Sequence, residues 1–342
     1  ASLLSDRFGR KRVMSSAMLL AALFTLAMAC APTFQMVLLL RFGVGLMLAG
    51  LPAVAMTYLS EEVEPAALTS AMGLYISGTA FGGMSGRLLS VWAAEYWGGD
   101  GAALVVGLCG LLAALCFLYC LPLSRQFRPR PLPLKRTGRQ ALSQALSTLL
   151  RDPALWALWA IGFLLLGCFV SLYNYIGFRL EQPPFAWSSL ALGSVFLLYV
   201  FGGVASAASG RMTRRWGLVP ALQIMLLTLM LGMLMTLSDS VPVLLLGMAL
   251  FTLAFFAGHA LASSAVGQRA KGHQAVAASI YLCSYYAGAS VLGPIVGLFW
   301  HGQSWSAVIA LLLTVSVTGL WLSTWLGQPG ILHYAYAAFR KG

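Results

Sequence analysis

Nine long stretches of this 342-residue chain contain no Asp, Glu, Lys or Arg: 13–40, 42–60, 65–86, 101–124, 153–178, 182–210, 216–238, 240–268 and 272–339. A membrane-crossing helix needs about 20 mostly apolar residues. The last stretch is too long for one crossing and divides at His301-Gly302-Gln303-Ser304. Read as helices, the windows predict ten spans near 13–31, 35–59, 69–93, 102–122, 154–177, 188–209, 218–238, 241–266, 274–299 and 305–326. Backbone in hydrocarbon must satisfy its own hydrogen bonds, which leaves helices or closed barrels. The short alternating pattern of barrel strands is absent, so the expectation is an all-α, polytopic transmembrane helix bundle. Only 9% of residues are charged and 60% are hydrophobic, against roughly 25% charged in a soluble domain. That composition excludes a soluble enzyme.

The formal charge of +12 has an address. Eighteen of the 21 Lys and Arg lie on one side of the predicted bilayer: before the first span, in the long loop 123–152, and near 211–215, 269–271 and 340–341. Arg179 is alone on the other side, and Arg41 and Arg87 fall inside spans. The positive-inside rule then places both termini in the cytoplasm of an inner (plasma) membrane. This accounts for the basic excess without a nucleic-acid partner. All six cysteines lie in spans, so no disulfide framework is expected. Cys116 and Cys120 are one turn apart with no His or carboxylate beside them, and the four His are scattered, so no metal and no cofactor are expected. No G-x-x-x-x-G-K-[ST] loop exists to bind ATP. No nucleophile–base pair sits at a common depth, which argues against a membrane enzyme.

A polar segment, 123–153, separates an N-terminal half-bundle (1–122, four spans) from a C-terminal six-span half (154–342). Within it, Leu142, Leu146, Leu149 and Leu150 recur at helical spacing. They predict either an amphipathic helix on the inner leaflet or a plain tether. The two halves repeat one another. Residues 2–10 superimpose on 210–218 at an offset of 208, and 78–86 on 289–297 at an offset of 211. A parallel repeat of six spans follows. By that offset about 55 residues, enough for two spans, are expected upstream of Ala1, and the chain is read as lacking an N-terminal helix pair.

Ser5-Asp6-Arg7-Phe8-Gly9-Arg10-Lys11-Arg12 resembles the signature loop between the second and third helices of the major facilitator superfamily, G-x-L-a-D-r-x-G-r-k, with Ser2 where the first glycine usually stands. Gly210 to Gly217 resembles its second-half copy, with Arg214 at the acidic position. Arg41 with Gly45 resembles the fourth-helix arginine motif. Gly78-x-x-x-Gly82-Gly83-x-x-Gly86 resembles the fifth-helix motif of the drug/proton antiporter branch, with Gly82-Gly83 where that branch has Gly-Pro. The resemblance implies a major facilitator fold with ten of twelve helices present, four plus six. It also implies that Asp6, with Arg7, Gly9 and Arg10, latches onto the start of a second-half helix near Gln274 and favours the outward-open state. An anion at a helix N-terminus gains about 0.3–1 kcal/mol.

The small-residue faces Gly78/Gly82/Gly86 and Ala289/Gly293/Gly297 predict close helix contacts, and Pro52 and Pro294 predict kinks. Arg41 either snorkels outward or lines the cavity, as the family motif implies; Arg87 stays open between the same roles. His259 is a candidate proton site, since only His titrates near neutral pH unaided, or a hydrogen-bonded packing residue. Tyr173, Asn174, Tyr281, Tyr285 and Tyr286 are candidates for an aromatic, weakly polar cavity lining, or for ordinary interfacial positions. These features point to a monomeric secondary transporter in the lipid bilayer that moves a small organic molecule by alternating access, with proton-coupled efflux as the leading reading. The alternatives are a symporter or facilitator for uptake, and a truncated remnant that does not transport.

Overall fold

The computed structural model describes residues 2–64, 67–124, 136–270, 272–300 and 304–327, and every regular element among them is helical. Helix α1 (Ser2–Phe8) is joined to α2 (Arg10–Met28) by Gly9 at φ +96°. Thr33 caps α3 (Phe34–Leu48), its hydroxyl accepting from the Met36 amide at 3.3 Å. The helix breaks at Ala49-Gly50 and resumes as α4 (Leu51–Glu62). Pro52 sits in the first turn of α4, where its missing N–H costs nothing; inside a continuous α3–α4 helix it would remove a bond and collide with the preceding turn. Helix α5 (Leu68–Cys120) contains one non-helical residue, Gly98, at φ +70° and ψ −172°, which divides it into limbs 68–97 and 99–120. That backbone conformation is open essentially to glycine alone. Trp92, Tyr96 and Trp97 are exposed just before the turn, and the Trp92 ring meets those of Tyr96 and Trp97 at 5.5 and 5.2 Å. Such groups suit the headgroup level of a bilayer.

The predicted helix at the second half's threshold is α6 (Arg136–Leu150), with Ala145 and Leu149 buried and Gln144 and Ser147 exposed. Asp152 caps α7 (Pro153–Glu181), accepting from the Ala154 amide at 3.0 Å and pairing with Arg269 at 2.6 Å. One span is assembled from α8 (Ser189–Ser194), a 3-10 turn (Val195–Leu198) and α9 (Tyr199–Ala207). Then come α10 (Ser209–Trp216), α11 (Leu218–Met235), α12 (Val241–Arg269), α13 (Gln274–Trp300) and α14 (Trp305–Ser323). Counting α3–α4 as one crossing, α8–α9 as one and α5 as two, the described residues give the ten expected spans. The first starts earlier than expected, because Arg10, Lys11 and Arg12 are helical rather than loop residues.

The α1–Gly9–α2 arrangement recurs at α10–Gly217–α11, where Gly217 has φ +82° and ψ 163° against +96° and 143° at Gly9. A short basic helix reversed by a positive-φ glycine is thus built twice, 208 residues apart, as the sequence repeat predicted.

By packing, the chain forms two compact units: Ala1–Glu64 with Gly82–Ser143, and Pro65–Phe81 with Gln144–Gly342. In the first, Met14, Val54 and Tyr58 form a buried cluster against Leu51, Phe117 and Leu121. In the second, α7 and α12 are central, each buried along more of its length than α13. Ala254 to Gly267 is buried without interruption, as expected of a helix surrounded by others. Glycines set the crossings: a Cβ on Gly232 would lie 2.6 Å from the Gly247 carbonyl, and one on Gly288 would strike the Phe163 carbonyl. Gly288→Val is therefore expected to destabilise the protein by about 3 kcal/mol, the upper range for overpacking. Gly293→Val, at a position with nothing within 4 Å, should be near neutral. Thermal unfolding of the detergent-solubilised variants checks the pair.

One clasp closes the far ends of α7, α11 and α14. The Arg179 guanidinium donates to the carbonyl oxygens of Thr236, Leu237 and Ser238 and pairs with Asp239 at 2.9 Å, while the Trp305 indole also donates to Thr236. Arg179 thus satisfies carbonyls that the end of α11 leaves without helical partners.

Candidate functional site

The candidate site is an aromatic column in the second unit, with an ionisable pair inside it. His259 is 6% exposed on α12, and its Nδ1 lies 2.8 Å from the hydroxyl of Tyr281 on α13, which is fully buried. The imidazole stacks on Tyr285 at 4.3 Å, and Tyr285 meets the exposed Tyr286 edge-on at 5.4 Å. Gly162 makes this possible from α7: a Cβ there would fall 2.6 Å from the Tyr281 ring. Phe255 stacks on Phe169 at 3.8 Å, and Phe169 carries the column on to Tyr173 and Tyr199 at 4.8 and 5.5 Å. The Tyr173 hydroxyl ends the column in a 2.6 Å bond with Thr252.

A neutral imidazole offers one donor and one acceptor, and a phenol can serve either, so the His259–Tyr281 bond survives with either tautomer. Such a pair can hold a proton or pass it on. Arginine and histidine inside a membrane span are expensive and are retained for function or for a specific partner. Among the described residues, no group of three His, Cys, Asp or Glu could hold a metal ion.

The other predicted residues fall elsewhere. Asn174 is exposed and lines a recess of about 460 Å³ with Tyr175, Phe178, Ala289, Gly293 and Pro294. Helix α13 continues through Pro294, and the Tyr175 hydroxyl donates to the Gly293 carbonyl at 3.2 Å and occupies the space beside Gly297. A Cβ on Gly78, Gly82, Gly86 or Gly293 would meet nothing within 4 Å. The close contacts expected at those four positions are made instead at Gly73, Gly210, Gly232, Gly247 and Gly288. Gly83 lies mid-helix in α5, and its carbonyl is 3.4 Å from the exposed Arg87 guanidinium. Arg41 is exposed on α3, in the first unit.

In the motif loop, Asp6 belongs to α1, but its side chain lies outside the described residues; Arg7 is exposed. Arg10 is 4% exposed and grips Glu61 on α4 with two bonds of 2.8 and 3.2 Å, while also donating to Ser5. Glu61 escaped the sequence reading because an acid at a helix end looks like an ordinary loop residue. The signal was present: an acidic loop on an otherwise basic side. In the second-half copy, Arg214 reaches Ser70 at 3.4 Å.

Membrane-length helices built twice on one plan, with a buried ionisable pair between two of them, define a polytopic membrane carrier. The chain belongs to the major facilitator superfamily, whose sequence profile matches residues 1–291. It is 42% identical over 325 residues to the uncharacterized MFS-type transporter YybF of Bacillus subtilis, covering 95% of this chain and 79% of that one. It is also 42% identical over 317 residues to the inner membrane transport protein YnfM of Escherichia coli, covering 92% and 75%. Among solved structures, the human organic anion transporter MFSD10 superimposes with a TM-score of 0.76 at 22% identity, covering 94% of this chain and 79% of that one. The protein is a multi-pass membrane transporter with the major facilitator fold, not an enzyme.

Proposed function

We propose that this transporter exports a small organic molecule across the inner membrane in exchange for protons, with both termini of this chain in the cytoplasm. The observation that carries the reading is the His259–Tyr281 pair, an ionisable group held deep in α12 by one neighbour. Protonation of His259 changes what that bond can accept, and Tyr285, stacked on the ring, transmits the change to the exposed Tyr286. Asn174 and its recess, about 460 Å³ in volume, fall within the roughly 300–1,000 Å³ of small-molecule sites. The halves 1–122 and 154–342 serve as the rocking bodies and 123–153 as their tether. Asp6 supplies the charge of the latch.

Everted membrane vesicles test the reading. Energised vesicles carrying the protein, offered ethidium, benzoate and nicotinate in turn, should accumulate one of them and lose their pH gradient as they do so, as read by acridine orange. An uncoupler should abolish the accumulation. Accumulation that persists with the uncoupler removes proton exchange from the proposal. Uptake confined to right-side-out vesicles reverses its direction.

A further inference from the structure

Four elements of the second unit meet near the arginines that border its helices. They are the start of α7, the start of α11, the end of α12 and the 3-10 turn Thr324–Gly327 that follows α14. Between them lies a recess of about 250 Å³ lined by Leu158, Leu218, Ala265, Gln268, Arg269 and Leu326. Its walls are of two kinds. Leu158, Leu218, Ala265 and Leu326 make it apolar, while Gln268 and Arg269, in the last turn of α12, give it a polar edge. Leu158 stands in the second turn of α7, roughly 8 Å along the axis from the helix start. The recess therefore grades from charge at the helix ends to hydrocarbon further in.

Both polar groups are held in place. Arg269 Nε donates to Asp152 Oδ2 at 2.6 Å, and the Gln268 amide donates to Thr69 and Ser264 at 3.0 and 2.9 Å. The Arg269 side chain is still 22% exposed, so it can be reached from outside.

Neighbouring residues mark the depth and the charge of this place. Trp156, Trp216 and Trp321 are exposed close in sequence to Leu158, Leu218 and Leu326, and Trp321 packs on Trp325 at 5.0 Å. Such rings suit the headgroup level of a bilayer. Arg151, Arg211, Arg214 and Arg215 are exposed at the same helix ends. The acids of the second unit are Asp152, Glu181 and Asp239, and the last two lie at the opposite ends of α7 and α11. Cations thus outnumber acids around the recess.

Exposed cations alone ask only for water and counter-ions. A soluble anion has no use for the leucines, and an apolar solute has none for the guanidinium. A molecule with an anionic head and a hydrocarbon tail meets both. Guanidinium groups match phosphate oxygens with paired N–H donors, and basic pockets between membrane helices take anionic lipid headgroups. A zwitterionic lipid offers the same phosphate and chains but brings a second cation among arginines.

We propose that this recess seats one anionic phospholipid, with its phosphate on Arg269 and the start of an acyl chain between Leu158, Leu218 and Leu326. Neither the direction of transport nor its coupling to protons enters the proposal.

Native mass spectrometry of the purified full chain tests it, with palmitoyl-oleoyl phosphatidylglycerol and the matching phosphatidylcholine offered in equal amounts. Leu218→Trp and Ala265→Leu fill the recess without altering charge. Asp152→Asn/Arg269→Gln removes the guanidinium yet keeps the net charge, and asparagine caps a helix as well as aspartate does. Arg12→Gln, at an exposed cation of the first unit, is the control for charge alone. Wild type and Arg12→Gln should each retain one phosphatidylglycerol at least about tenfold more than phosphatidylcholine. The three recess variants should fall to the phosphatidylcholine level, and having three keeps the comparison intact if one fails to fold. Inorganic phosphate should not displace the lipid. Equal retention of the two lipids, or full retention in the folded recess variants, overturns the seat. An equal loss in Arg12→Gln reduces it to general charge attraction, and displacement by inorganic phosphate makes it an anion site without a tail; either result overturns the proposal.

Discussion

His259→Phe is expected to reduce uncoupler-sensitive transport at least about 100-fold, the lower end of what a positioned proton-transfer group contributes. Phenylalanine keeps the flat ring that stacks on Tyr285 at 4.3 Å and removes only the two ring nitrogens. It also leaves the Tyr281 hydroxyl without its 2.8 Å partner in a fully buried place, at a cost of about 1–3 kcal/mol. A loss of transport could therefore reflect stability alone, and Tyr281→Phe separates the causes. That variant breaks the same bond but retains the imidazole, so it should be affected much less in rate and similarly or less in melting temperature. Everted-vesicle transport with and without an uncoupler, beside thermal unfolding, gives the comparison. Wild-type coupling in His259→Phe would show the histidine to be a packing residue.

Arg10→Ala is expected to destabilise the protein by about 3 kcal/mol, the lower figure for breaking a buried ion pair by removing one partner. The lower figure is chosen because Glu61 retains 29% exposure while Arg10 retains 4%, so water can rehydrate part of the stranded carboxylate. The double variant Arg10→Met/Glu61→Leu should recover most of the loss, since apolar residues of similar size often replace a buried pair with little penalty. The order of melting temperatures, single variant well below double variant and double near wild type, is the expected result. Equal losses in single and double variants would trace the effect to the packing of the long Arg10 side chain instead of to charge.

These two sites differ in how visible they were beforehand. Arg10 was legible as part of a loop resembling a family signature, but its partner was not, because Glu61 is 51 residues away and lies at a helix end where acids are common. His259 and Tyr281 were each visible as polar groups in apolar windows. That one bonds the other depends on how α12 and α13 are rotated about their axes. Neither helix carries a clear apolar stripe: both are apolar nearly all round, so periodicity leaves that rotation open. The small-residue faces show the same limit. Sequence spacing marks glycines that could permit contact; only packing decides which do, and Gly288 touches the neighbouring backbone while Gly78 and Gly293 face open space.

The amino-acid sequence by itself determined the number of crossings, their helical character, the breaks at Pro52 and between the α5 limbs to within a few residues, and the repeated basic turn. Each follows from chemistry local to one segment: hydrocarbon admits only chains that satisfy their own backbone, and a positive φ admits essentially glycine. The tertiary structure alone decided which polar groups meet. It placed Arg10 on Glu61, His259 on Tyr281 and Thr69 between Ser264 and Gln268. The reason is that a buried polar group must find a partner somewhere, and nothing in its own segment says where.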